Sequence, residues 1–256
     1  MKRPNCPKCG RPMWRNGVAA SSGRPRWTCR RNDEFCYTTT FAGGEEAITR
    51  GGKKLKTPVF KRMLNRRGSR FIVTCAQNAT PVHKGFFASL LQAAKHLDAE
   101  LIVIPIRYKN PTSRWSASQA NAEQWAAEVQ PYLCNTRIRL SKNLVVLGDV
   151  KTQPTASSPL TGFEAITHGE SAILGHTKLQ LKTVPTPQNA LPKVLTTTGA
   201  VTVHNYTDSK AGKLGEFHHT LGATLVELEG GRFHLRQLNA DKDGSFYDLT
   251  DRKSVV

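Results

Sequence analysis

From residue 70 onward the chain alternates short apolar runs with polar, glycine-containing connections. Phe71-Ile72-Val73-Thr74-Cys75 and Leu101-Ile102-Val103-Ile104-Pro105-Ile106 are nearly continuous apolar runs of strand length, as expected of strands buried on both faces. Between them Gly85 to Leu97 carries apolar residues at helical spacing, so the three segments predict a β-α-β unit. Ala117 to Leu133 is predicted as an amphipathic helix, and Leu144 to Asp149 as a third strand ending in a glycine and a carboxylate. Ligands of open α/β sheets bind at such tips. The rest reads as β-rich, with runs at Ser171 to Leu174, Leu179 to Val184, Lys193 to Thr197, Gly222 to Glu229 and Arg232 to Leu238. Gly230-Gly231 joins the last two as a hairpin turn. The expected fold class is α/β: one layered domain over residues 70–256, with a mixed sheet and a β-rich C-terminal half.

Residues 1–69 have a different pattern. Cys6-Pro7-Lys8-Cys9-Gly10 is a C-x2-C knuckle, and Cys29 and Cys36 can complete a tetrahedral site of four thiolates. Gly17, Gly23 and the strand-like Arg26-Trp27-Thr28 suit a hairpin between the two cysteine pairs, so residues 1–40 are expected to form a zinc ribbon. The alternative is free cysteines in a disordered segment. Trp27 is expected to cover the small core. Residues 41–69 read as a basic, glycine-punctuated linker, in which Val59 to Arg67 can become helical once phosphates neutralise its charge.

Charge changes the picture most. The 256 residues hold 37 Lys+Arg against 19 Asp+Glu, a formal +18, which points to a polyanionic partner. Residues 1–70 carry 18 of the cations and 4 of the acids, a surplus of 14, leaving a surplus of 4 for the remainder. The candidate phosphate-binding cations are Arg11, Arg15, Arg24, Arg26, Arg30 and Arg31, followed by Lys53, Lys54, Lys56, Lys61, Arg62, Arg66 and Arg67. Trp14 and Trp27 among them offer stacking surfaces. Six cysteines are too few for a disulfide scaffold in a chain this long, and no apolar run is long enough to span a bilayer. A cytoplasmic protein is expected.

CPKCG, then RWTCRR and a downstream cysteine, resembles the N-terminal zinc ribbons of insertion-sequence transposases and phage DNA-binding proteins. That resemblance implies DNA contact and a phage or mobile-element origin. It covers about residues 4–40 and departs from the family in the six residues between Cys29 and Cys36.

In the larger domain three clusters carry candidate chemistry. Residues Ala76 to His83 follow the first strand, and Gly148-Asp149 and Gly175-His176-Thr177-Lys178 end later ones. The densest runs from Asn205 to His219, where Asp208, Glu216, His218 and His219 offer ligands for Mg²⁺ or Mn²⁺ beside Lys210 and Lys213. The same stretch also reads as an exposed polar loop. The first two clusters distantly resemble the calcineurin-like metallophosphoesterases, which implies Asp and His ligands at the strand tips. Here Cys75-Ala76-Gln77 stands in place of Asp-x-His, and Lys178 in place of a last His. Gln180-Leu181-Lys182 resembles the Gln-x-Lys variant of restriction-type nucleases, with Asp149 sharing the metal. No nucleophile elbow, Walker loop or dinucleotide fingerprint is present. Cys75 and Cys134 are expected to be packing thiols.

The sequence therefore predicts a zinc-ribbon DNA-binding protein. One alternative is a metal-dependent nuclease or phosphodiesterase using Asp149, His176, Asp208, Glu216, His218 and His219; another is a regulator that binds RNA or RNA polymerase.

Overall fold

The fold is that of a computed structural model, which describes residues 5, 12–18, 25–28, 39–41, 69–108, 124–189, 192–249 and 251–253. The chain divides into two compact units, Met1–Pro58 and Val59–Val256. In the first, β1 (Trp14–Val18), β2 (Pro25–Thr28) and β3 (Thr39–Phe41) form an antiparallel sheet in that order. Asn5 and Pro12, which flank the first cysteine pair, form an antiparallel bridge. Met13 and Trp27 are buried, whereas Trp14 and Arg15 are exposed. Arg26 stands in β2 opposite Phe41. Cys6, Cys9, Cys29 and Cys36 lie outside the described residues, as do Arg11, Arg24, Arg30, Arg31 and the basic segment from Lys53 to Arg67.

The second unit is built on two mixed sheets. One has the order β12-β11-β4-β5, from β4 (Arg70–Gln77), β5 (Glu100–Ile106), β11 (Gly222–Glu229) and β12 (Arg232–Asn239). The other has the order β6-β7-β8-β10-β9, from β6 (Arg137–Ser141), β7 (Leu144–Leu147), β8 (Ser171–Leu174), β9 (Leu181–Val184) and β10 (Lys193–Thr197). Strands β4 and β5 are parallel, as are β7, β8 and β10; β6 and β9 at the edges of the second sheet run antiparallel. A short hairpin of β13 (Phe246–Asp248) and β14 (Asp251–Lys253) completes the unit.

Side-chain alternation explains the layering, because successive residues of a strand face opposite sides. Phe71, Val73 and Cys75 of β4, with Ile102, Ile104 and Ile106 of β5, meet Leu144, Val146 and Ile173 of the other sheet in one core. The opposite residues Ile72, Ala76, Leu101 and Val103 pack with Phe86 and Leu90 of α1 (Lys84–His96) in a second. Val145, Leu147, Ala172 and Leu174 form a third core with Leu160 and Phe163, the latter in α2 (Phe163–Ile166). Each central strand is therefore buried on both faces, which is why its sequence is almost uninterruptedly apolar.

Two expected elements differ. The amphipathic helix over Ala117 to Leu133 is replaced, in its described part, by a 3-10 turn at Ala127–Tyr132. Pro131 lies inside that turn and lacks the N–H that a continuing helix needs. The stretch read as a polar loop contains α3 (Lys210–His218), capped by the Ser209 hydroxyl, which accepts the Gly212 N–H at 3.1 Å. Strand β6 and the β13–β14 hairpin were not expected. The Gly230-Gly231 turn is as expected, both residues having positive φ (54° and 78°).

Candidate functional site at the strand tips

The C-terminal ends of the parallel strands of both sheets lie side by side. Beyond β10, the backbone N–H of Cys75 donates to Gly199 O at 3.3 Å, and Val201 N–H donates to Cys75 O at 2.8 Å. Gly175, at the tip of β8, sits so close to the facing sheet that a Cβ there would lie 2.7 Å from Ile104 Cγ2 and 3.2 Å from Cys75 Cβ. The tips thus gather His176, Thr177, Gln77, Tyr108, Tyr206 and the end of α3.

Three of the candidate catalytic residues meet here. The His176 and His218 rings are 5.9 Å apart, and His219 lies 5.7 Å from Tyr206 and 6.3 Å from His204. Both ring nitrogens of His176 and of His219, and Nε2 of His218, are committed to the fold. His176 is fully buried; its Nε2 bonds Gln153 O at 3.0 Å while its Nδ1 accepts Lys178 N–H at 2.9 Å. His219 Nε2 bonds Thr202 O at 2.8 Å and its Nδ1 bonds the Tyr206 hydroxyl at 2.8 Å. His218 Nε2 bonds Pro154 O at 2.9 Å, a carbonyl that also accepts the Thr177 hydroxyl at 3.1 Å. Burial holds both His176 and His219 down at about 4, so these rings are neutral at pH 7. With one nitrogen donating to a carbonyl, the other is the acceptor, which fixes the tautomer. The imidazoles clamp the 153–154 backbone to β8 and α3.

The carboxylates are elsewhere. Asp149 is exposed and pairs with Arg137 of β6 at 3.3 Å. Asp208 pairs with Lys213 at 2.9 Å, both largely exposed, and Glu216 lies 3.5 Å from His204. Gln180 and Lys182 are likewise in use: Gln180 Oε1 accepts Leu160 N–H at 3.2 Å, and Lys182 contacts the Glu164 carboxylate. His83 caps α1, its Nδ1 accepting Phe86 N–H at 3.1 Å.

Of the polar groups that complete the site, Gln77, Asn205, Tyr206 and Thr207 lie in the candidate clusters, and Tyr108 was not selected from the sequence. The Tyr108 hydroxyl bonds Thr207 Oγ1 at 2.9 Å, and the rings of Tyr108 and Tyr206 meet edge to face at 5.3 Å. Gln77 Nε2 donates to Asn205 O at 2.9 Å, while Gln77 Oε1 is buried with no hydrogen-bond partner among the described residues. Cys75, buried as expected, donates to Gly199 O at 3.0 Å; burial pushes its thiol up to about 12, against the smaller opposing effect of Thr198. It is an inert packing group at neutral pH.

No protein-family model matches the sequence. Protein A1 of Escherichia phage T5 is 34% identical over 190 residues, 72% of this chain and 34% of that protein. The chain therefore spans about a third of the length of this relative. Among solved structures, Vps29 of Chaetomium thermophilum aligns with a TM-score of 0.37 and 8% identity over 73% of this chain and 98% of that one. A single-site mutant of Entamoeba histolytica Vps29 aligns at 0.35 and 12%, over 73% and 100%.

The likeness of the strand-tip clusters to the metallophosphoesterase pattern implies a pair of divalent cations, and the described donors do not fit one. The ring nitrogens of His176 and His219 are spent, Asp149 and Asp208 are paired with cations, and Gln77 and Cys75 stand where that pattern has ligands. Among the described residues no group of three or more His, Cys, Asp or Glu converges on a common point. None of their helices is long and apolar enough to cross a membrane.

Proposed function

We propose that this protein binds DNA and that the strand-tip end of its α/β unit faces the phosphodiester backbone. The observation that carries the reading is the outer face of α3. Lys210, Lys213, Leu214 and Phe217 follow the spacing that places residues on one face of a helix. All four are exposed, Phe217 to 88%. Gly212 and Gly215 on the opposite face are buried, the former so close to Thr207 O that a Cβ would lie 1.9 Å from it. An exposed aromatic ring one helical turn beyond Lys213 is a stacking platform for an unpaired base, and the lysines earlier on the same face lie where a phosphate backbone can be met. The charge surplus of the first 70 residues supports the same partner, and the phage relative supports a phage setting. The four cysteines at Cys6, Cys9, Cys29 and Cys36 belong to the proposal as the structural Zn²⁺ ligands of the N-terminal unit.

The second reading is a metal-dependent phosphodiesterase. It is favoured by one arrangement: Gly148-Asp149 and Gly175-His176 follow the tips of adjacent parallel strands, with His218 and His219 opposite. For Mg²⁺ or Mn²⁺ to be held there, His176 and His219 must exchange backbone partners for the ion.

The test is incubation of the zinc-loaded protein with labelled duplex, nicked and single-stranded DNA, with Mn²⁺ or with EDTA, on native and denaturing gels. Shifted, intact DNA in both conditions supports the binding reading, and Mn²⁺-dependent products support the phosphodiesterase. Equal preference for RNA transfers the reading to an RNA-binding regulator. Phe217→Ala should weaken single-stranded binding by roughly tenfold, within the ~1 to 3 kcal/mol of one base–aromatic stack. Arg24→Ala with Arg26→Ala should lower the salt slope by about 2. An unchanged slope removes the N-terminal unit from the interface.

A further inference from the structure

At the opposite end of the same sheet, below the N-terminal ends of β7, β8 and β10, lies a cavity of about 410 Å³. Glu164, His168, Ser171 and Lys193 are among its polar lining, and Pro185 and Pro187 are among its apolar lining. Lys193 is unusual in being 3% exposed. Its ammonium donates to Glu164 O at 2.6 Å and to His168 O, carbonyls at and just beyond α2. The nearby Glu164 carboxylate is taken by Lys182. Lys193 therefore holds a buried positive charge on two neutral carbonyls, with no carboxylate in ion-pair contact among the described residues.

Carbonyl dipoles alone offset the desolvation of such an ammonium only in part. Capping the last carbonyls of a one-turn helix needs neither burial nor a cavity, since an exposed lysine does it. An ammonium has three donors, and two are accounted for. The volume is far larger than one water occupies and falls in the range of small-ligand sites.

We propose that this cavity binds a small oxyanion, a phosphate or carboxylate group on a compact body, whose charge is met by Lys193 and whose body packs on the proline-lined wall. The site is separate from the strand tips and independent of DNA binding. Burial shifts Lys193 towards the neutral amine, against the attraction of Glu164, and a bound anion would restore its preference for the charged form.

Calorimetric titration of the full chain with inorganic phosphate, a nucleoside 5′-monophosphate and benzoate, at matched ionic strength, tests this and separates the sources. At least one of the three is expected to bind at a single saturable site, at least tenfold more weakly in Lys193→Met. Gly169→Leu gives an independent check, because a Cβ there meets nothing within 4 Å and the residue is not among the glycines of positive φ. Gly169 is itself a lining residue, so a leucine there adds bulk at the cavity wall without replacing Lys193, and binding should weaken at least tenfold while the circular dichroism spectrum stays the same. If Lys193→Met fails to fold, Gly169→Leu decides. Failure of all three anions to bind, or binding unchanged in Gly169→Leu, overturns the proposal whatever the DNA gels show.

Discussion

Between pH 6.5 and pH 4 the α/β unit should lose roughly 3 kcal/mol of stability to His176 alone. The ring is fully buried, and its protonation in the folded state is held down to about 4 from an ordinary value of 6.5. Within that window the unfolded chain takes up a proton that the native ring refuses, so stability falls as pH falls and is restored as pH rises. His219 is held down to about 4 by the same cause, so it adds to the decline over the same window. Urea unfolding at pH 7.5, 6.5, 5.5 and 4.5 would show the loss. His176→Gln should start lower at pH 7.5, because it disturbs the bonds to Gln153 O and Lys178 N–H, and should show a flatter decline. A variant as pH-sensitive as the parent would mean that the ring is solvated rather than clamped.

Gly175→Val should destabilise the unit by about 3 kcal/mol, the upper end of the usual cost of overpacking. The added atoms would enter space held by Ile104 and by Cys75, on two strands of the facing sheet, and neither can withdraw without opening the central core. Gly175→Ala with Ile104→Ala should recover part of the loss that Gly175→Ala causes alone, because the two sites share one volume. Denaturant midpoints of the two singles and the double measure that coupling. Strictly additive losses would show that Gly175 is required for backbone conformation rather than for the close approach of the sheets.

Much of the fold was legible in the sequence because the information was local. The apolar runs of β4, β5, β7, β8 and β10 had to be buried strands, the Gly230-Gly231 pair had to turn a hairpin, and the 85–97 spacing had to be a helix. α3 was missed because Gly212 and Gly215 lower helix propensity, although Ser209 offered the cap and Lys210, Lys213, Leu214 and Phe217 the spacing. Those glycines are there for contact with Thr207 and Tyr206, which only the packed structure shows.

For the site, the sequence offered His176, His218 and His219 as candidates, and the structure brings these three rings near one another; the charge surplus of the first 70 residues was also legible, and its polyanionic partner is part of the proposal. It could not say what each ring bonds. The partners of His176 and His218 include carbonyls 23 and 64 residues away, and Gln77 reaches Asn205 across 128 residues. An imidazole becomes ligand, base or clamp according to which groups the fold brings to its two nitrogens, and burial sets its charge. By itself the sequence determined the strand cores and the excess of positive charge at one end, since hydrophobic period and net charge are properties of neighbouring residues. The tertiary structure alone decided that the buried histidines are neutral clamps, that Asp149 and Asp208 are engaged with cations instead, and that Lys193 is buried beside a cavity. Those outcomes depend on hydrogen bonds and desolvation between segments far apart in the chain.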